Sequence, residues 1–229
     1  MNLSPRLKRI ADFIPNNSIV ADVGTDHGYV PKYLIDKGIS KLVIATDISK
    51  GSLQKTVDYI REENLEEEIT TRLGDGLDPI RPFEVDTLVI AGMGGLLIAE
   101  IMSKSMEVSK SINTLILQPM VGSPELRKYL LQNNFRIVDE DLVREGDKFY
   151  EIIVAKTGLQ KFDKELDYEI SPVMLKKKNS PVLREFVEMK IKMNENVIEK
   201  LRNRTGEKSM SRLLELEKIV EDYREVFSK

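Results

Sequence analysis

Two acids and two glycines follow the first apolar run of the chain, and they are the residues best suited to chemistry. Residues 18–20 lead into Asp22, and Gly24, Asp26 and Gly28 follow at alternate positions before a helix-like pattern begins. Glycine is needed where a backbone approaches a ligand closely or takes a positive φ. The helix beyond offers unpaired N–H groups at its N-terminus. The pattern therefore predicts a strand-to-helix turn that binds a polar ligand.

The acids in this turn indicate the charge of the ligand. A dinucleotide-binding turn, G-x-G-x-x-G, has a glycine where Asp22 stands. Two carboxylates repel a diphosphate but attract a cation. S-adenosylmethionine carries an ammonium and a sulfonium, so the charge pattern favours this cofactor. A solvated turn with incidental acids is the alternative that this segment alone leaves open.

Acids and small residues recur where later predicted strands end. In doubly wound sheets, ligands bind at the carboxyl ends of the strands, where the strand order reverses. Asp47 ends the second strand and can accept hydrogen bonds from a ribose. Asp75 follows the third strand and can accept one from an adenine amino group, although a turn-forming aspartate is the alternative. Residues 91–95 include one alanine and three glycines, which would let a flat group approach.

The elements that must position these residues alternate between strands and helices. Continuous apolar runs at 85–91 and 113–118 are typical of strands buried on both faces. The alternation predicts a mostly parallel, doubly wound sheet, and residues 145–148 predict a hairpin that adds one antiparallel strand. Ser49 and Ser123 are predicted helix N-caps. The seven predicted strands lie near residues 18–23, 41–47, 68–73, 85–91, 113–119, 135–144 and 148–156.

The pattern becomes helical after Gly158. Apolar residues at helical spacing predict two helices joined by a turn that contains Gly206, which together form a coiled-coil-like hairpin. We therefore predict two domains, residues 1–158 and 159–229. The predicted apolar faces hold Leu183, Phe186, Val187, Ile191, Val197 and Leu201 in the first helix, and Met210, Leu213, Leu214, Val220, Tyr223 and Phe227 in the second.

Composition excludes several classes of site. The chain has no cysteine and one histidine, which excludes disulfides, thiolate zinc sites and His-rich metal sites, so we expect no metal. It shows no signal-peptide core and no run of about 18 apolar residues, so we expect a cytoplasmic protein without a membrane span. The net charge is −3. Residues 173–204 are basic, which indicates either a polyanion-binding arm or a solvated helix face.

Six motifs carry a resemblance to a known family. With them the chain resembles the bacterial tRNA (adenine(22)-N1)-methyltransferases (TrmK) over nearly its whole length. The resemblance implies an α/β fold, with a Rossmann-like class I methyltransferase domain followed by an α-helical hairpin. It also implies S-adenosylmethionine as methyl donor and tRNA as substrate. The motifs are LSPRL (3–7), ADVGTDHGYVP (21–31), GDGL (74–77), IAGMGG (90–95), LILQPM (115–120) and REGDKFYEI (144–152).

The chain departs from the family pattern at two positions. Met120 stands where relatives often have asparagine, so this side chain has no amide with which to contact the target base. Asp47 stands where relatives often have glutamate, and the shorter acid can still bind a ribose. We expect a monomer.

Methylation of a ring nitrogen requires orientation above all, because adenine N1 already has an in-plane lone pair. We predict that Asp26 accepts a hydrogen bond from the adenine amino group, with helix capping or pairing to the methionine ammonium as the alternative. We predict that Arg6 contacts tRNA phosphate or the target base, with a surface ion pair as the alternative.

The predicted catalytic residues are Asp26 and Arg6. The predicted cofactor-binding residues are Asp22, Gly24, Thr25, His27, Gly28, Asp47, Ile48, Asp75, Gly76, Ala91, Gly92 and Met93. The predicted substrate-binding residues are Tyr29, Gly94, Gln118, Pro119, Lys176, Lys177, Lys178, Arg184 and Lys190.

The sequence leaves three other functions as alternatives. One is a methyltransferase that acts on a different RNA or a small molecule. The second is an NAD-dependent oxidoreductase, which Asp22 disfavours. The third is an RNA-binding module without catalysis, which the acids at the strand ends disfavour.

Overall fold

The computed structural model describes residues 3–25, 27–202 and 206–227 of the 229-residue chain. The chain folds into two compact units, Met1–Lys161 and Phe162–Lys229. The first contains a sheet with flanking helices, and the second is helical. The division into domains at residues 1–158 and 159–229 stays a prediction.

The described residues of the first unit form a seven-stranded sheet in the order β3-β2-β1-β4-β5-β7-β6. Strands β1 to β5 pair in parallel, and β7 runs antiparallel to both β5 and β6. The predicted α/β fold, with a hairpin that closes a parallel sheet, is confirmed. The strands are β1 (Ser18–Val23), β2 (Ser40–Asp47), β3 (Ile69–Leu73), β4 (Thr87–Met93), β5 (Thr114–Pro119), β6 (Phe135–Glu145) and β7 (Lys148–Thr157).

Helices connect the parallel strands. Ser49 caps its helix as predicted, since its hydroxyl accepts the Ser52 N–H at 3.3 Å. The prediction of Ser123 as an N-cap is wrong, because Ser123 is already helical and Gly122, with φ of +76°, is the cap. The helices of this unit are α1 (Pro5–Asp12), α2 (Tyr29–Asp36), α3 (Lys50–Glu62), α4 (Gly95–Lys104), α5 (Met106–Ser111) and α6 (Ser123–Gln132).

The core of the first unit lies on both faces of the sheet. All six residues of β5 are buried, as expected for a central strand covered on both sides. Ile10 of α1 is fully buried, and Leu3 and Leu7 pack against the same cluster. The first helix is therefore fixed to the sheet by apolar contacts, which matters because it carries Arg6.

The second unit contains α7 (Leu166–Glu169), a 3-10 helix (Met174–Lys177), α8 (Pro181–Arg202) and α9 (Glu207–Glu225). Helices α8 and α9 pack together around Ile198, Leu216 and Val220. Ion pairs join Arg202 to Glu217 at 3.0 Å and Glu195 to Arg224 at 2.6 Å. In these pairs the residue number falls in one helix as it rises in the other, so the helices are antiparallel.

Three residues of the predicted apolar faces are exposed. Val197 is 43% exposed, and Met210 and Leu214 are 58% and 61% exposed. The buried seam instead uses Ile198 and Leu216. Ile198 lies seven residues after Ile191, which is two helical turns, whereas position 197 falls about 100° off that face.

Neither a membrane span nor a metal cluster is found in the described residues. None of the helices in this part of the chain is long and apolar enough to cross a membrane. Across the same residues, no group of three or more His, Asp or Glu side chains is arranged to hold a metal ion.

Candidate active site

A cavity of about 560 Å³ opens at the carboxyl ends of the central strands. The strand order reverses between β1 and β4, so the cavity lies at the topological switch point of the sheet, as expected for a doubly wound fold. Its volume is within the range of small-molecule sites, about 300–1,000 Å³. The predicted site residues that line it are Arg6, Asp22, Gly24, Tyr29, Asp47, Ile48, Asp75, Gly76, Ala91, Gly92 and Met93.

Asp22 places a buried carboxyl at the floor of the cavity. It lies in β1 between Ala45 of β2 and Val89 of β4, and it is only 7% exposed. Burial raises the pKa of Asp22 to about 6. A buried carboxylate of this kind is stabilised by a cationic ligand.

The loop after β1 is shaped by left-handed backbone. Gly24 has φ of +74°, and its N–H and that of Thr25 both donate to the Thr46 carbonyl, at 2.8 and 3.0 Å. A Cβ on Gly24 would lie 2.2 Å from the Met93 methyl carbon, so an alanine there would displace the end of that side chain, and the positive φ already favours glycine. The loop therefore brings bare backbone to the cavity wall.

Several predicted residues of the same loop lie beside the cavity rather than in its lining. Thr25 is buried, and Gly28 is the N-cap of α2, with φ of +72°. The ring of His27 stacks on Tyr29, with the centroids 5.4 Å apart. Asp26, the predicted catalytic acid, lies outside the described residues.

Two further acids stand on the rim at the ends of adjacent strands. One carboxylate oxygen of Asp47 accepts the Ser49 N–H at 2.6 Å, and the next residue, Ile48, is 68% exposed. Asp75 follows β3, and its side chain is half exposed, with the Lys104 ammonium 3.7 Å away. The structure thus brings the three predicted strand-end acids to one cavity.

Arg6 lies at the opposite side, where β4 and β5 end. Its Nη1 donates to the Gln118 side-chain oxygen at 2.6 Å, and its guanidinium lies 5.1 Å from the centre of the Tyr150 ring. Its Nε is buried and has no hydrogen-bond partner among the residues that the structure describes. Helix α1 is anchored there because Glu145 accepts from the Ser4 hydroxyl at 2.8 Å and from the Arg6 N–H.

The remaining predicted substrate residues have varied surroundings. Gly94 caps α4, and Gln118 and Pro119 are buried in β5. In the second unit, Arg184 lies 4.8 Å from the centre of the Phe227 ring, and Lys190 pairs with Glu169 at 3.0 Å. Three lysines of that unit belong to the 3-10 helix and the position after it: Lys176, Lys177 and Lys178.

Sequence reasoning missed several residues of the site. Leu97 and Ile101 line the cavity from α4, and their i, i+4 spacing was the available signal. Tyr150 and Glu145 lie in the quoted motif at 144–152, but nothing local shows that they face Arg6. Leu7, Thr46, Gly74 and Met120 also line the cavity.

The residues present fit S-adenosylmethionine. Buried Asp22 provides a negative charge for an ammonium or sulfonium, the open backbone at Gly24 admits a close ligand, and the rim acids Asp47 and Asp75 offer acceptors for hydroxyl and amino groups. These acceptors surround one cavity of suitable volume.

Comparison with known proteins agrees with this geometry. A family model described as a methyltransferase domain matches residues 3–153. The tRNA (adenine(22)-N(1))-methyltransferase of Bacillus subtilis (strain 168) is 32% identical over 197 residues, 82% of this chain and 81% of that protein. The crystal structure of the B. subtilis m1A22 tRNA methyltransferase TrmK is 30% identical, with a TM-score of 0.89 over 98% of each chain. A candidate tRNA (m1A22) methyltransferase of Streptococcus pneumoniae in complex with S-adenosyl-L-methionine is 33% identical, with a TM-score of 0.84 over 96% of this chain and 100% of that one. This chain therefore belongs to the bacterial tRNA (adenine(22)-N1)-methyltransferase family.

Proposed function

We propose that this protein transfers the methyl group of S-adenosylmethionine to N1 of adenosine 22 in tRNA. The observation that carries the proposal is the convergence of Asp22, Asp47 and Asp75 on one cavity at the switch point, in a chain of this family. The cofactor supplies an electrophilic methyl group on a sulfonium. The residues of this chain bind, orient and balance charge around it.

Each of the three acids binds a different part of the cofactor. Asp22 is the buried partner for a positive charge of the methionine part. Asp47 is placed to accept from the ribose hydroxyls, because one of its oxygens is fixed by the Ser49 N–H. Asp75, half exposed after β3, accepts from the adenine amino group. Each role follows from burial and position along consecutive strand ends.

The acceptor base needs orientation and a tolerant electrostatic environment. N1 becomes positively charged as it is methylated, so nearby carboxylates stabilise the transition state. Asp26 is the proposed acceptor for the base amino group, on sequence grounds. Tyr29, 37% exposed and T-shaped against Tyr59 at 5.8 Å, provides an aromatic wall at the mouth of the cavity.

The basic residues of the second unit are the proposed grip on tRNA. Lys176, Lys178 and Arg184 are exposed and positively charged, so they suit phosphate contacts that recognise shape rather than sequence. Binding energy of this kind is needed because the target base must leave its stack, at a cost of a few kcal/mol. We place the enzyme in the cytoplasm as a monomer.

The test is methyl transfer from labelled S-adenosylmethionine to unmodified tRNA, with the modified nucleoside identified and mapped by mass spectrometry. N1-methyladenosine at position 22 is the expected product. Tight cofactor binding without label in any tRNA would refute this substrate and direct the search to another RNA or a small molecule.

Once methylation of tRNA is established, Asp26→Asn should lower kcat, and full turnover in that variant would exclude the proposed role of Asp26.

A further inference from the structure

Gln118 is a fully buried amide whose polar atoms are all engaged within the protein. Its oxygen accepts from Arg6 Nη1 at 2.6 Å and from the Gly92 N–H at 3.2 Å. Its Nε2 donates to the Pro119 carbonyl at 2.8 Å and lies 3.8 Å from the Met120 sulfur. A side chain fixed at both ends and wholly buried is poorly placed to contact a substrate.

Arg6 is oriented by this amide, and the residues that the structure describes do not neutralise it. Among the described residues, no carboxylate forms an ion pair with its guanidinium, which meets only the amide of Gln118 and the face of Tyr150. Its Nε is buried, and within the described part of the chain it has no hydrogen-bond partner. The guanidinium therefore keeps donors that no described residue accepts from, beside the cavity that it lines.

The backbone that carries Arg6 is fixed independently of Gln118. Asp141 and Glu145 lie on one face of β6, four residues apart, and both hold α1. Asp141 accepts from Arg9 Nε at 2.6 Å, and Glu145 accepts from Ser4 and from the Arg6 N–H. Loss of Gln118 should thus free the Arg6 side chain while the helix stays docked.

We propose that Gln118 is a positioning residue that aims the charge of Arg6 at a phosphate of the target nucleotide. The proposal deepens the proposed function and rests on it. A phosphate is the fitting partner because N1 gains positive charge on methylation, and a guanidinium beside N1 would oppose that gain. A neutral amide suits the task because a carboxylate in its place would pair with Arg6 and cancel the charge.

The test compares Gln118→Glu and Gln118→Met with wild type and with Arg6→Ala. We expect KM for tRNA to rise about tenfold in Gln118→Glu and Gln118→Met, with kcat changed less than about threefold and cofactor Kd within twofold. The slope of log affinity for tRNA against log salt should shrink by about one phosphate contact in Gln118→Glu, as in Arg6→Ala. Adding Gln118→Glu to Arg6→Ala should cause no further loss.

Gln132→Met at the exposed end of α6 is the matched control and should leave KM unchanged. If Gln118→Glu fails to fold, as judged by its melting temperature and cofactor binding, Gln118→Met carries the test alone. An unchanged tRNA KM in a folded Gln118 variant overturns the proposal, as does an additive loss in the double variant. If the proposed function were wrong, the wild-type protein would not methylate tRNA. If only the role of Gln118 were wrong, the wild type would methylate tRNA and the Gln118 variants would keep its KM.

Discussion

Replacing Asp22 by asparagine should stabilise the ligand-free protein while it weakens cofactor binding. Burial raises the pKa of Asp22 from its ordinary 3.8 to about 6. At pH 7.5 the carboxyl is ionised in both the folded and the unfolded state, so the folded state bears the cost of the buried charge. A shift of this size corresponds to about 3 kcal/mol. Asparagine has the same shape without the charge, and the melting temperature should rise by roughly 6–12 °C.

The stability difference between wild type and Asp22→Asn should shrink as the pH falls. As pH falls through about 6, folded Asp22 takes up a proton that the unfolded chain does not yet bind, so wild type approaches the variant in stability. The difference should fall to about half by pH 5. Cofactor binding by the wild type should weaken as the pH falls, because only the ionised carboxyl attracts a cation. About one tenth of the free protein is ionised at pH 5, so the apparent Kd should be about tenfold higher there than at pH 7.

Calorimetry of unfolding and titration calorimetry with S-adenosylmethionine at pH 5, 6 and 7 test both effects. Asp22→Asn should bind at least about tenfold more weakly at pH 7 and show a flat pH profile. Asp75→Asn is the control, because this acid is half exposed and its loss should keep the wild-type slope and melting temperature. An Asp22→Asn protein that melts below wild type, or that keeps the pH slope of binding, would refute the reasoning.

Three further variants test other parts of the structure. Gly24→Ala should weaken cofactor binding by up to about tenfold, because the new methyl group would displace the end of the Met93 side chain, which lines the cavity; Gly38→Ala, also at positive φ but in open space, should leave affinity unchanged in the same titration. Arg127→Met should lower the free energy of unfolding by about 3–5 kcal/mol in denaturant titrations, because it strands the buried acids Glu140 and Glu151, and the exposed Lys8→Ala should change little. Ile198→Ala should destabilise the hairpin by about 2–4 kcal/mol and weaken tRNA binding without changing cofactor affinity, whereas Val197→Ala should do neither.

The cofactor half of the site could be predicted from the sequence because its residues are local to strand ends. Asp22, Asp47 and Asp75 each follow a predicted strand, and parallel strands bring their carboxyl ends to one edge. Neither the burial of Asp22 nor its shifted pKa is visible in the sequence, because both depend on neighbouring strands. The assignment of a role to each acid stays a prediction.

The acceptor half could not be assembled in the same way. Arg6, Gln118 and Tyr150 come from distant segments, and only the docking of α1 at the hairpin of β6 and β7 brings them together. In the second unit, adjacent apolar residues at 197 and 198 left the helical face ambiguous by one position. Packing between α8 and α9 chooses Ile198, which hydrophobicity alone does not determine.

The distribution of charge around the cavity connects these observations to the reaction. A neutral base becomes a cation, so the cavity must hold that charge without trapping the product by a strong ion pair. The acids stand along β1 to β3, where a sulfonium is the natural partner, and the cation of Arg6 stands where β4 and β5 end. Among the described residues an amide rather than a carboxylate holds Arg6, so we expect its charge to stay available to a phosphate.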